Sequence, residues 1–220
     1  LTKLESHALY GNTIKDIDIN NVTYFGDYSL YGIHGNPIYL TNAVEYVGSY
    51  AFAGTYVYIE HETIPTTWGK NIAGTSTVSG GIITPNCLIN DKYIYSKNGN
   101  EVTVLNYVGT DRRIEIPSLI DSLPVTKIGY GFNSVTEIGL DVYENIYTEE
   151  SGENYFSYMV RAEQVVIPNS VKAIDLGAFI NLFTTIYIPS SVEKISTYTL
   201  FIDNDDMSSN FIIFESNSYP

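Results

Sequence analysis

Short apolar segments and turn residues recur along this chain at a fixed interval. Residues 22–32 read VTYFGDYSLYG, and residues 44–54, which begin 22 positions later, read VEYVGSYAFAG. Further along, Val171 and Val192 begin similar segments 21 positions apart, and an Ile-Pro pair stands shortly before each of them. Self-similarity at a period of this size is the signature of a stacked repeat architecture. The pattern therefore predicts a solenoid.

Each repeat predicts a short β-strand and a turn. Residues 185–188, TIYI, alternate as a strand does, and Pro189 ends the strand because proline has no N–H to donate to a ladder. A second apolar pair, Val192 and Ile195, follows the turn. One such unit cannot bury its apolar face, whereas stacked units share a continuous core. Helical periodicity is weak, so we expect a mainly β fold with few long helices.

The sequence of one unit also resembles a known repeat. Residues 167–179 follow the pattern Ile-Pro-x-x-Val-x-x-Ile-x-x-x-Ala-Phe, which resembles the BspA-type leucine-rich repeat of bacterial cell-surface proteins. The match is strongest at 22–54 and 164–202. The resemblance implies a leucine-rich-repeat-like right-handed superhelix with a parallel strand ladder and short turns or 3-10 segments. It also implies an exported protein that binds partners through a repeat without catalytic residues.

The repeats fall into two arrays. Residues 1–75 read as a first array with a closing segment. Residues 76–92 are rich in small and turn-forming residues, which predicts a linker. Residues 93–220 read as a β-hairpin cap followed by a second array, because Asn98-Gly99 between alternating segments is a strong hairpin signal.

The second array contains one irregular interval. From Val125 to Val171 is 46 residues, about twice the period. Two repeats could fit there, one of them degenerate, or one repeat could carry an insertion. The segment near 141–158 is acidic and rich in tyrosine, which favours an inserted loop.

Composition limits the possible partners. The formal net charge is −14 and the isoelectric point is about 4.4, so the chain repels phosphate backbones and nucleic acid is excluded as a partner. No apolar run approaches the length of a membrane span, so we expect no membrane insertion in this segment. A single cysteine excludes an intrachain disulfide. The chain begins at Leu1, and we expect an extracellular or cell-surface location with a signal peptide already removed.

Twenty tyrosines are the most unusual feature of the composition. Tyrosine is favoured at recognition surfaces because it offers a large contact area at low rotamer cost. Alignment of the predicted strands places some tyrosines and one pair of charges on the outward face, and we interpret that face as the binding surface. Its members are Tyr39, Tyr56, Tyr58, Arg113, Glu115 and Tyr187. The alternative is that tyrosine simply suits an exposed strand.

The remaining tyrosines have other interpretations. Tyr28, Tyr50 and Tyr198 belong to the turn motif of the repeat, and we assign them to the repeat itself. Several more lie in the acidic insertion, which is a further candidate for binding.

Candidate catalytic and metal-binding residues are weak. None of the three histidines, His7, His34 and His61, has a recognisable catalytic or metal-ligating spacing. Cys87 is followed by Leu88 and Ile89, which is typical of a small buried hydrophobe. We therefore expect no cofactor and no catalytic residue.

Oxygen-rich acidic segments are the more serious metal candidates. Asp203, Asp205 and Asp206 form an acidic run that favours a solvated turn over a calcium site. A second set has the spacing of an EF-hand loop but lacks its glycine and its bidentate glutamate, so an acidic strand face is favoured; its members are Asp16, Asp18, Asn20 and Asp27. Asn21-Val22-Thr23 is a glycosylation sequon, a short match that is often due to chance.

These features favour a non-enzymatic, exported surface repeat protein that binds a protein or a glycan, such as one from a host, through its strand face and loops. One alternative is a structural spacer within a larger surface protein. A more remote one is a carbohydrate-acting enzyme that uses paired carboxylates, although nothing in the sequence places two of them across a cleft.

Overall fold

The computed structural model divides the chain into two compact units, residues 1–97 and residues 98–220. The residues that the structure describes are 1–12, 18–33, 37–75, 81–109, 111–129, 145–147, 154–156, 164–175, 178–179, 185–196 and 212–215; for 145–147 and 154–156 only the backbone is described. The described residues form strands and turns and contain no helix, as the sequence predicts. Accordingly, no helix in this part of the chain is long and apolar enough to cross a membrane.

The first unit is built from two parallel ladders and a terminal hairpin. The ladder β1–β2–β4 and the ladder β3–β5–β6 each add one strand per coil of chain, and β7 pairs with β8 antiparallel. Strands β6 and β7 lie inside the segment predicted as a linker. The strands are β1 (Lys3–Leu4), β2 (Tyr24–Phe25), β3 (Ile38–Leu40), β4 (Tyr46–Val47), β5 (Tyr56–Ile59), β6 (Ile82–Thr84), β7 (Leu88–Asn90) and β8 (Tyr93–Asn98).

Coils of the first unit stack closely because a glycine follows β2 and another follows β4 in the first ladder. The amide of Gly26 donates to the carbonyl of Leu4, and the amide of Gly48 donates to that of Phe25, at 2.8 and 2.7 Å. A Cβ added at Gly48 would lie 2.6 Å from the carbonyl carbon of Gly26, so only glycine permits this separation. The amide of Gly69 donates to the carbonyl of Val47 in the same way, so a fourth coil stacks on the third.

The turns after these strands form a third ladder. The amides of His7, Leu9 and Gly11 in the first coil donate to carbonyls of the second coil at 2.9 Å. The same bonds recur one coil later from Tyr28, Leu30 and Gly32. Left-handed backbone makes this possible, because it turns alternate amides toward the neighbouring coil; the positions with positive φ are His7, Gly11, Tyr28, Gly32, Tyr50, Gly54, Asn71 and Gly74.

The core of the first unit runs through the stacked coils. Phe25 and Phe52 are fully buried and meet edge to face with their ring centroids 4.9 Å apart. The buried Trp68 lies in the fourth coil, at the position that Phe25 and Val47 hold in the second and third coils. Its indole N–H donates to the carbonyl of Glu45 at 3.2 Å. Burial of one apolar residue from each coil links the coils into a common core.

The second unit repeats the same design. Its parallel ladders are β10–β15–β17–β19 and β9–β12–β16–β18, and two antiparallel pairs, β11–β12 and β13–β14, accompany them. The strands are β9 (Glu101–Tyr107), β10 (Arg113–Glu115), β11 (Leu119–Ile120), β12 (Leu123–Ile128), β13 (Asn145–Tyr147), β14 (Asn154–Phe156), β15 (Gln164–Val166), β16 (Ala173–Ile174), β17 (Thr185–Ile188), β18 (Lys194–Ile195) and β19 (Ile212–Phe214).

The irregular interval lies between neighbouring strands of one ladder. Ile128 pairs directly with Ile174, and the antiparallel pair β13–β14 lies between them in the chain. The insertion near 141–158 stays a prediction. The hairpin cap predicted around Asn98-Gly99 falls at the boundary of the two units and stays a prediction, as do the right-handed superhelix and the limits of the two arrays. The mainly β fold and the parallel ladders are confirmed.

Candidate functional site

The predicted strand-face residues have the predicted register within each unit. Alternate residues of a strand point to opposite faces, so residues paired across a parallel ladder share a face. Tyr56 on the central strand β5 pairs with Ile82 of β6. The other rows are Tyr39–Tyr58 in the first unit, and Arg113–Gln164–Thr185 and Glu115–Val166–Tyr187 in the second.

The prediction that Tyr58 belongs to an exposed stripe is wrong. Its side chain is only 1% exposed, because the chain that follows β6 returns across this face. The amide of Cys87 donates to the carbonyl of Ile59 at 2.9 Å, and the hydroxyl of Tyr39 donates to the carbonyl of Cys87 at 3.1 Å. Burial, with smaller effects of Glu60 and Cys87, raises the pKa of Tyr39 to about 12. Half of the first unit's tyrosine row is therefore covered.

The remaining strand-face residues are accessible to different degrees. Tyr56 and Tyr187 are half-buried, whereas Arg113 and Glu115 are exposed. The Nε of Arg113 lies 2.6 Å from Oε1 of Glu115, and its Nη1 donates to the side chain of Gln164. Both side chains are exposed, so their charges are accessible to a partner. An exposed ion pair of this kind contributes little to stability.

A larger aromatic surface lies on the turns of the first unit. Five rings, which we call the turn ladder, project from the third ladder and contact one another: His7, Tyr10, Tyr28, Tyr31 and Tyr50. The ring of Tyr28 stacks on His7 at 5.1 Å and on Tyr50 at 5.2 Å, and Tyr10 stacks on Tyr31 at 4.9 Å. Tyr10 is 49% exposed. The sequence interpretation assigned Tyr28 and Tyr50 to the repeat itself and missed this surface.

Backbone strain shows that the turn ladder adds little net stability. His7, Tyr28 and Tyr50 have φ values of 61°, 56° and 56°, a region that bulky residues rarely adopt. The strain costs about 1–2 kcal/mol per residue. A stacked aromatic pair returns about 0.5–1.5 kcal/mol, so the two effects nearly cancel. In the fourth coil the same place is held by Asn71, which tolerates this backbone, so the architecture does not require an aromatic ring here.

A second aromatic column stands on the neighbouring strands of the first unit. Tyr24 on β2 stacks on Tyr46 on β4, with centroids 4.9 Å apart and planes inclined by 22°. The ammonium of Lys3 lies 4.2 Å from the centroid of Tyr24 and 3.1 Å from the carboxylate of Glu5. Lys3, Tyr24 and Tyr46 thus lie in one row across the three strands of the first ladder.

The described residues contain no group of three or more His, Cys, Asp or Glu side chains that could hold a metal ion. Asp203, Asp205 and Asp206 lie outside the described residues, as does Asp16. In the EF-hand-like set, the carboxylate of Asp27 accepts a hydrogen bond from the amide of Ser49 at 2.7 Å. That bond gives Asp27 a structural role between two coils.

The one cysteine is buried, as its apolar neighbours predict. Burial raises the pKa of Cys87 to about 12, whereas a nucleophilic cysteine requires a lowered pKa. The thiol donates to the carbonyl of Thr84 at 3.3 Å. His7 belongs to the turn ladder, the ring of His61 meets Trp68 edge to face at 5.1 Å, and His34 lies outside the described residues.

Comparison with known proteins identifies the repeat. The family described as BspA type leucine rich repeat region matches residues 1–72 and 149–218 in six copies. The chain belongs to this family. The matched residues include the stacked coils of the first unit and strands β15 to β19 of the second, and the recognition made from the pattern Ile-Pro-x-x-Val is confirmed.

Other comparisons add one solved structure. The crystal structure of a leucine rich cell surface protein from Faecalibacterium prausnitzii A2-165 is 16% identical, covers 98% of this chain and 79% of that chain, and has a TM-score of 0.32. No curated protein matches this BspA-type repeat chain.

Proposed function

We propose that this protein is a non-enzymatic, exported surface repeat protein that binds another macromolecule, a protein or a glycan, through the first unit. The observation that carries this proposal is the turn ladder. It consists of stacked rings at positions where asparagine would carry less backbone strain, and His7 and Tyr10 are exposed while the other three rings are half-buried. Rigid tyrosines bind with little loss of conformational entropy.

The strand-face residues contribute to this function as a secondary surface. Arg113 and Glu115 are exposed, and Tyr187 shares a row with Glu115. Tyr56 is half-buried and offers part of its ring on β5 of the first unit. Tyr58 is removed from the set because it is covered.

A double variant, Tyr28→Asn with Tyr50→Asn, tests the proposal. It copies the residue that the chain itself uses at position 71, so the coil stack is preserved while the ladder loses its central rings. Wild type and variant are compared on immobilised panels of extracellular proteins and of glycans. We expect ligands captured by the wild type to bind the variant at least tenfold more weakly.

Tyr58→Phe is the matched control, because it alters a tyrosine of the same unit that is only 1% exposed. Equal capture of every ligand by wild type and double variant would refute the turn ladder as the binding surface. A spacer role is the second candidate function; it is favoured by the stacking of Tyr28 between His7 and Tyr50, which occupies both faces of its ring internally. Absence of any specific ligand in both panels is the outcome that a spacer predicts.

A further inference from the structure

The turn ladder presents one polar group at each coil of the first unit. His7, Tyr28 and Tyr50 recur in successive coils with ring centroids 5.1 and 5.2 Å apart, and Asn71 takes the same place in the fourth coil. We call these four side chains the polar row. His7 and Asn71 are exposed, and Tyr28 and Tyr50 are half-buried. A ligand that lies along the coil stack can therefore reach a hydrogen-bonding group at each coil.

Ring faces are covered in the middle of the polar row. Tyr28 stacks on His7 with an interplanar angle of 15° and on Tyr50 with an angle of 9°. A ligand at this point contacts ring edges and the hydroxyl group. A tyrosine hydroxyl both donates and accepts a hydrogen bond, so it can pair with either kind of group on a ligand.

One hydroxyl of the polar row is polarised by its neighbour. The side-chain amide of Asn71 donates to the hydroxyl oxygen of Tyr50 at 3.1 Å. The hydroxyl hydrogen of Tyr50 points away from that amide and can donate to a ligand, and a hydroxyl that already accepts a hydrogen bond donates a stronger one. Hydroxyl and amide groups carry no charge, so this part of the row suits a neutral ligand rich in hydroxyl groups.

The spacing of the polar row distinguishes between two classes of extended polymer. An extended peptide rises about 3.3 Å per residue, so the side chains on one of its faces recur at about 6.6 Å and fall out of step with rings 5.1 and 5.2 Å apart. Successive sugars of an extended β-1,4-linked chain advance by nearly the spacing of the rings. Alternate sugars of such a chain are turned over, and a hydroxyl that both donates and accepts tolerates this alternation.

We infer that the polar row binds a neutral, extended β-1,4-linked glycan that lies along the coil stack with one sugar at each coil. This inference rests on the proposed function and names the chemical class of its partner. Four coils contribute to the row, so four sugars fill it, and a longer chain makes no further contact with it.

A series of glycan lengths tests the inference. The probes are β-1,4-linked oligomers of glucose and of N-acetylglucosamine with two to six sugars, and binding is measured by titration calorimetry. We expect the affinity for at least one series to rise at least threefold with each sugar up to four and less than twofold beyond four. The α-1,4-linked glucose oligomers, which coil rather than extend, should bind at least tenfold more weakly. Absence of binding in both β-linked series, affinity that does not depend on length, or equal affinity for the α-linked chain would each overturn the inference.

Two single variants test whether the glycan lies on the polar row. Tyr50→Phe removes the polarised hydroxyl and keeps the stacked ring, so the four-sugar chain should bind at least threefold more weakly. Asn71→Gly tolerates the left-handed backbone and removes the last polar group, so the affinity should stop rising at three sugars. The control Tyr58→Phe removes a covered hydroxyl and should leave the affinity within twofold of the wild type. Glycan binding that neither single variant changes would place the glycan elsewhere and contradict the inference.

Failure of this inference can be told apart from failure of the proposed function. If neither β-linked series binds, but a protein captured by the wild type is lost by the Tyr28→Asn and Tyr50→Asn double variant, the turn ladder binds a protein and only the glycan assignment is wrong. If the double variant captures every ligand as the wild type does, the turn ladder is not the binding surface and both proposals fail.

Discussion

Replacing Gly48 by alanine should destabilise the first unit more strongly than the same replacement at Gly11. The added Cβ would lie 2.6 Å from the carbonyl carbon of Gly26 and would also meet the amide nitrogen of Asp27. The φ angle of Gly48 is outside the left-handed region, so alanine is not strained by its own backbone. The whole effect must come from contact with the preceding coil.

The magnitude follows from the separation of the coils. An ordinary Cβ contact begins at 3.4 Å and the nearest backbone atom, the amide nitrogen of Asp27, would lie at 2.4 Å, so the two coils must move apart by about 1.0 Å. That movement lengthens two hydrogen bonds of 2.7 Å, from Gly48 to Phe25 and from Ser49 to Asp27. Loss of the neutral bond costs about 1 kcal/mol and loss of the bond to the carboxylate about 2 kcal/mol. With some loosening of the core, we expect about 3–4 kcal/mol in all.

Urea unfolding measured by tryptophan fluorescence provides the assay. Trp68 is the only tryptophan in the chain and is buried in the first unit, so its signal reports that unit. Gly11→Ala is the control, because a Cβ at Gly11 meets nothing within 4 Å and only its φ of 65° is strained. We expect the control to lose about 1–2 kcal/mol. A loss below 1 kcal/mol for Gly48→Ala, or equal losses for both variants, would refute the argument from close coil contact.

Four further predictions concern the same unit. Tyr28→Asn with Tyr50→Asn should change the free energy of unfolding by less than about 1 kcal/mol, because lost stacking is offset by relieved strain; urea unfolding checks this, and a loss above 3 kcal/mol would contradict it. Cys87 should resist alkylation at pH 8 until the protein unfolds, and native reactivity would disprove its burial. Burial raises the pKa of Cys87 from 9.0 to about 12, so its contribution to stability is complete below pH 9 and falls as the pH rises toward 12. Thermal melts between pH 8 and 12 should therefore show a larger fall in melting temperature for the wild type than for Cys87→Ala. Tyr39→Phe should cost about 0.5–1.5 kcal/mol for its bond to the Cys87 carbonyl, and an unchanged melting temperature would mean that this bond contributes nothing.

The repeat and its register could be predicted because they depend on local periodicity. Alternation within TIYI and the recurring Ile-Pro pair determine which residues of each strand point inward, and pairing Ile114 with Val165 and Ile186 follows from aligning equal positions. Each coil contacts only its neighbours, so the strand pairing follows from the order of the repeats along the chain.

The burial of Tyr58 could not be predicted in this way. It depends on a segment about thirty residues further along, which returns over β5 and is held by Cys87. No period relates that segment to the strands it covers. The same limitation applies wherever chain outside the repeat lies on the repeat.

The turn ladder did leave a signal in the sequence. His7, Tyr28, Tyr50 and Asn71 are separated by 21, 22 and 21 residues, the period of the repeat itself. Alignment of the strands alone does not reveal it, because these rings lie in the turns that follow the strands. Aligning every position of the coil, including those with left-handed backbone, would have placed these rings in one column.

The hydrogen bonds of the turns also give the first unit an electrical direction. The amides of His7, Leu9 and Gly11 all donate toward the following coil, and the next coil continues all three chains of bonds in the same sense. Peptide dipoles aligned in this manner add, as they do along a helix. The turn side therefore has an amide end with a partial positive charge at its last coil, and a carbonyl end with a partial negative charge at its first.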